Sequence, residues 1–118
     1  MPDPIYEDGT AEGVTMKSRR AKALDIPKRV KDRVFDRDGG QCILCGSSWS
    51  AMPNAHYISR AQGGLGIEEN VVTLCSICHE HYDHTDRRGQ LRRIIRSYLK
   101  KQYPEWDETK LTYKKPGT

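Results

Sequence analysis

The side chains best suited to chemistry in this chain are four cysteines and four histidines, and neither set is scattered. Cys42 and Cys45 have two residues between them, as do Cys75 and Cys78, and 29 residues separate the pairs. Two residues between thiolates let both sulfurs reach one ion at ~2.3 Å, so two such pairs can close a four-thiolate tetrahedral site, the pattern of structural Zn2+. Such a site keeps no open position and does not catalyse. The competing readings are two disulfides or redox-active pairs, and the latter normally need a thioredoxin-like scaffold that this short chain lacks the strands to build.

The histidines His56, His79, His81 and His84 lie between the cysteine pairs or just beyond them. His79 and Asp83 are four apart, so on a helix they share a face and can chelate one divalent ion. Imidazole plus carboxylate suits Mg2+, Mn2+ or another divalent ion with positions left for water and phosphate. His56, with an ordinary imidazole pKa of ~6.5, is mostly neutral at cellular pH and can take a proton from water. Asn70 closes a glycine-rich stretch and can hydrogen-bond backbone to fix it. Each has an ordinary alternative: an exposed polar pair, a satisfied strand histidine, a turn cap.

Positioning these groups requires a fold, and the composition limits its core. Leu, Ile, Val and Phe make up 21 of 118 residues, about 18%, below the ~20% at which chains struggle to bury enough apolar surface. A metal would substitute for the missing core, since zinc binding in finger-sized domains contributes of order 10 kcal/mol to folding. The length suits one domain with tails. No apolar run approaches the ~18–20 residues of a membrane span, and an N-terminus carrying Asp3, Glu7, Asp8 and Glu12 has no signal-peptide pattern. The expectation is a cytoplasmic chain with reduced thiols and no membrane partner.

Residues 1–24 are expected to form a flexible arm, 25–106 the folded domain and 107–118 a tail with enough apolar surface to pack back. Asp25 as N-cap and Pro27 in the first turn open a helix carrying Val30, Val34 and Phe35, which Gly39 and Gly40 stop. A strand-like stretch covers 54–59, a glycine-rich loop 61–70, a β-prone run 71–74, and a helix begins at His79. A last helix, 90–102, alternates Leu91, Ile94, Ile95, Tyr98 and Leu99 with Arg92, Arg93, Arg96, Lys100 and Lys101. The net charge of +4 is unevenly spread: −4 over residues 1–16, +6 over 17–37 and +6 over 85–101. Two basic segments around a cysteine-rich centre suit a nucleic-acid partner, or simply two solvated helix faces.

The order CxxC, Asn54-Ala-His56-Tyr-Ile-Ser-Arg60, Gly63-Gly64, Asn70, Cys75-x-x-Cys78-His79 and Asp83 resembles the HNH (His-Asn-His) nucleases of the His-Me finger group, in particular small phage-encoded members. The likeness covers about residues 28–106 and is densest over 37–84. It implies an α+β fold: a small zinc-stapled ββα-metal domain with flanking helices. It further implies a metal-dependent endonuclease hydrolysing DNA phosphodiester bonds. His56 would be the general base, Asn70 the residue orienting the loop, and His79 and Asp83 the ligands of the catalytic ion. Arg60 would touch phosphate, and Arg92, Arg93, Arg96 and Lys100 would hold the DNA backbone. Phage DNA processing, with packaging proteins as partners in the host cytoplasm, follows from the same likeness. The chain departs from the pattern in carrying Ala55 where many members place a metal ligand before the base, and Asp83 where many have a final histidine. Asn54, His81 and His84 are the residues that could compensate. A decayed HNH site in a non-catalytic zinc-knuckle DNA-binding protein is the other reading.

Overall fold

A computed structural model describes residues 18–115. Six regular elements are joined by short 3-10 turns: α1 (Arg19–Leu24), α2 (Lys28–Arg37), β1 (Met52–His56), β2 (Val71–Leu74), α3 (Ser76–His84) and α4 (Arg88–Gln102). The architecture is a small mixed one. A two-stranded antiparallel sheet has His56 opposite Val71, Ala55 opposite Val72 and Met52 opposite Leu74, with an irregularity between 52 and 55. No helix among the described residues is long and apolar enough to cross a membrane.

The apolar spacing in α4 buries Leu91, Ile95 and Leu99, which meet Tyr57, Leu74, Tyr82 and Leu111 in one core. α2 buries Val30 and Val34 against Val71, making a smaller cluster that Ile26 covers. The segment after α4 returns to this core: Leu111 is buried, and its carbonyl accepts from the Leu65 amide at 2.8 Å.

Several boundaries differ from those read in the sequence. Residues 1–17 lie outside the described residues, but 19–24 are helical and not an arm. Ser18 Oγ caps the first turn by accepting from the Ala21 amide at 3.1 Å, and Leu24 is buried. Asp25 terminates that helix, so Pro27 becomes the N-cap of α2. β1 runs 52–56, not 54–59, because the chain beyond His56 leaves the sheet to enter the loop that Asn70 holds. Within that loop, Arg60–Gln62 and Glu68–Asn70 form 3-10 turns. α4 begins two residues early, at Arg88.

A polar strap missed in the sequence ties these pieces together. The Arg37 guanidinium pairs with Asp38 at 2.7 Å and donates to the carbonyls of Glu68 and Val71, each at 2.8 Å, and to Tyr103 Oη at 3.0 Å. Asp38 in turn accepts from the Thr73 amide and the Tyr98 hydroxyl. Burial opposes the Arg37 charge, but its bonds to Asp38 and Tyr103 more than offset this and hold its pKa above the usual value. One ion pair therefore spans α2, β2 and α4, with its donors and acceptors satisfied by backbone and hydroxyls.

Candidate functional site

The four thiols lie together. One sulfur from each of Cys42, Cys45, Cys75 and Cys78 falls within 4.8 Å of all the others. The Cys45 and Cys75 sulfurs are 3.7 Å apart, close to the ~3.8 Å edge of a tetrahedron built on ~2.3 Å metal–sulfur bonds. The first knuckle turns through Gly46, at φ +80°, whose amide donates to the Cys42 carbonyl at 2.8 Å. The second caps α3: Cys75 Sγ accepts from the Cys78 amide at 3.4 Å. Burial alone would raise the Cys42 thiol, yet backbone bonds at Cys75, Cys45 and Leu44 bring it down to about 7. Cys78 is pushed well up, by burial first and then by the neighbouring sulfurs. Four thiolates this close repel one another, so the full set ionises only around a cation. The cluster could thus hold a metal ion, and its donor set fits one.

A cavity of about 520 Å3 opens between β1 and α3. His56, His79 and Asp83 all line it, together with Asn54, Arg60, His84 and Arg88. Strand alternation explains the β1 contribution, since Asn54 and His56 face the cavity while Ala55 between them is fully buried in the core. A metal ligand at position 55 would therefore point into apolar packing, and Asn54 is the strand residue that reaches the cavity.

The His56 Nε2 atom lies 2.9 Å from the Leu24 carbonyl oxygen. A carbonyl only accepts, so Nε2 carries the proton and Nδ1 is the basic atom of the ring. Burial lowers the His56 pKa and the Arg60 charge lowers it further, outweighing the opposing pull of the Leu24 carbonyl, so the ring is neutral at pH 7. Across the cavity, His79 Nε2 and Asp83 Oδ2 are 3.0 Å apart. Two cis ligands at ~2.1 Å from an octahedral ion lie about 3.0 Å from each other, so the separation of this pair matches that of two ligands of one divalent cation.

Asn70 is fully buried and holds the loop that follows His56. Its Oδ1 accepts from the Ile58 amide at 2.9 Å, while Nδ2 donates to the carbonyls of Ile58 at 3.2 Å and Leu65 at 2.8 Å. Tyr57, directly after His56, has its carbonyl bonded by Tyr82 Oη at 2.6 Å, which joins α3 to the same loop.

The predicted DNA contacts divide. Arg60 lines the cavity and bonds Leu24 O at 2.8 Å and Asp25 Oδ1 at 2.9 Å. None of the four candidates on α4 lines it. Arg92 and Arg96 both pair with Glu108, at 2.8 and 3.0 Å, and Arg92 also stacks over the Tyr57 ring at 4.6 Å. Arg93 and Lys100 are exposed and carry no ion pair among the described residues. Arg88, which the sequence hides within a run of basic residues, belongs to the cavity: it stacks over Tyr82 at 4.3 Å and lies 3.8 Å from Asp83. Of the other candidates, His84 lines the cavity and His81 does not, its Nδ1 being buried without a partner. The arrangement offers a neutral imidazole base, a chelating pair and two guanidiniums around one space large enough for a phosphate and water.

No family model and no solved structure matches the chain. Among curated proteins it is similar to one named Anaredoxin, from Nostoc sp. strain PCC 7120, with 28% identity over 65 residues that make up 55% of this chain and 80% of that protein.

Proposed function

We propose that the chain is a metal-dependent HNH endonuclease that hydrolyses DNA phosphodiester bonds, built on a structural zinc held by Cys42, Cys45, Cys75 and Cys78. The observation that carries this reading is the meeting of His56 with the His79–Asp83 pair on one cavity. His56, neutral and protonated on Nε2, takes the proton of an attacking water at Nδ1. His79 and Asp83 would hold the divalent ion, with Asn54 and His84 lining the same cavity. When bound, that ion supplies a Lewis acid for charge developing on the phosphate and the departing oxygen. Arg60 and Arg88 attract the phosphodiester and orient it. Asn70 keeps the loop rigid, so the base does not drift from the line of attack.

Cleavage of supercoiled plasmid with Mg2+, Mn2+ or Ni2+ tests the proposal. The parent converts it to nicked or linear forms, and His56→Ala loses on the order of 10²–10⁴-fold in rate. Equal cutting by both proteins removes His56 from the role of base. One observation favours a second reading, a non-catalytic zinc-knuckle DNA-binding protein: Ala55 faces the core, leaving only His79 and Asp83 as charged or imidazole ligands in contact with each other. That reading requires plasmid binding without cleavage under every ion.

A further inference from the structure

We infer that the last turn of α1 positions the base of the cavity: the Leu24 carbonyl fixes the His56 ring, and Gly66 is the residue that lets that carbonyl come close. The catalytic consequence rests on the endonuclease reading, whereas the positioning does not.

The final carbonyls of a helix have no partner within it and are usually left to water or a cap. Here the Leu24 carbonyl accepts from two side chains of the cavity, His56 Nε2 at 2.9 Å and Arg60 Nη1 at 2.8 Å. A six-residue helix has no stability of its own in water, so α1 stays only where tertiary contacts hold it. Four do so. Leu24 is buried, with 2% of its surface exposed. Arg60 pairs with Asp25 at 2.9 Å, and Arg20 donates to the Arg60 carbonyl at 3.3 Å. The Gly66 amide donates to the Ala23 carbonyl at 2.9 Å.

Gly66 is required for space and not for its backbone angles. A Cβ there would sit 1.9 Å from the Asp25 carbonyl oxygen and 2.5 Å from its carbon, so any side chain pushes the Ala23–Ile26 segment away. His56 Nε2 would then lose its acceptor, and the ring would no longer hold one orientation. The atoms that a Cβ on Gly66 would meet all belong to Asp25 and Ile26, so the displacement reaches the base through the end of α1.

The test uses the full chain with two variants, Gly66→Ala, which displaces the turn from the loop side, and Leu24→Ala, which weakens its anchor from the core side. In the parent, the His56 Nε2–H appears as a solvent-protected imidazole resonance in 15N-resolved NMR. In both variants that resonance is lost to exchange. With plasmid as substrate, kcat falls on the order of 10–100-fold while KM stays within about twofold. A protected resonance persisting in a folded variant, or unchanged kcat, overturns the inference. Should Gly66→Ala fail to fold, Leu24→Ala decides alone. A parent that cuts no DNA sinks the endonuclease reading, and the resonance then decides the positioning by itself.

Discussion

Removing the Asn70 side chain measures how much of the candidate site depends on a single buried amide. Asn70→Ala deletes three hydrogen bonds from a fully buried side chain to backbone groups of Ile58 and Leu65. At about 1–1.5 kcal/mol net for each, the loss is about 3–4 kcal/mol, a large part of the ~5–15 kcal/mol that holds a domain together. For a domain of this size that lowers the melting temperature by roughly 15–20 °C, read by circular dichroism or calorimetry. Asn70→Asp sharpens the test. One carboxylate oxygen can still accept from the Ile58 amide, but the other faces two carbonyl oxygens with no proton to offer. Burial and those carbonyls hold the folded-state pKa of the new carboxyl above its unfolded value of ~3.9. A raised carboxyl pKa means the folded state binds more protons than the unfolded one, so this variant gains stability as pH falls from 7 toward 5, opposite to an ordinary salt-bridged aspartate. Asn70→Ala melting within about 3 °C of the parent, as an exposed substitution would, refutes the reasoning that Asn70 carries the loop.

Three further outcomes follow from the site. Cys75→Ser breaks a buried corner of the sulfur cluster. If the cluster holds the proposed zinc, the variant binds well below one zinc per chain and loses cooperative unfolding, because metal binding of order 10 kcal/mol would then be folding energy; a variant that melts like the parent shows that a metal is not the scaffold. Since burial holds the His56 pKa below 6.5, the acid limb of kcat/KM lies below that of an ordinary imidazole. The same depression makes its contribution to stability fully present above pH 6.5 and lost as pH falls through the lower folded-state value, and an acid limb above 6.5 contradicts it. On α4, Arg93→Ala and Lys100→Ala each reduce the slope of log K against log salt for DNA by about 0.9. Arg92→Ala and Arg96→Ala, whose charges already engage Glu108, change it less; equal slopes for all four place the DNA elsewhere.

How legible each part was in the sequence depends on whether its cause is local. The two CxxC pairs and the i, i+4 spacing of His79 and Asp83 are rigid short-range patterns, and the thiols and the chelating pair are indeed found close together. α4 announces itself through its apolar period, which survives as the buried face Leu91, Ile95 and Leu99. α1 does not: six residues with one apolar anchor have no period to read, and its partners lie at Arg60 and Gly66. The Arg37–Asp38 strap is illegible for the same reason. In sequence it is one more pair in a charged helix, and only contacts to Glu68, Val71, Tyr98 and Tyr103 bury it. Arg92 and Arg96 read as free cations because the acid that engages them comes 12 or more residues later.

What sets the distance between the base and the chelating pair is β2, only four residues long. At one end Val71 pairs with His56, and at the other Leu74 passes directly to Cys75. From Cys75 the sulfur cluster and the helix cap fix where α3 starts; the His79 amide then bonds the Cys75 carbonyl at 2.9 Å, which places His79 one turn along and Asp83 two. Both halves of the candidate site are therefore referenced to opposite ends of one strand, at ~3.3 Å per residue. Register matters more than stability in such a device. The irregularity between Met52 and Ala55 shifts the pairing by one residue, from the Met52–Leu74 alignment to that of Ala55 with Val72. Without that shift, alternation would turn His56 toward the core and Ala55 toward the cavity. The apolar burial of Ala55 thus does chemical service: the core accepts a methyl at position 55 far more readily than an imidazole, and that preference keeps His56 on the side of His79 and Asp83.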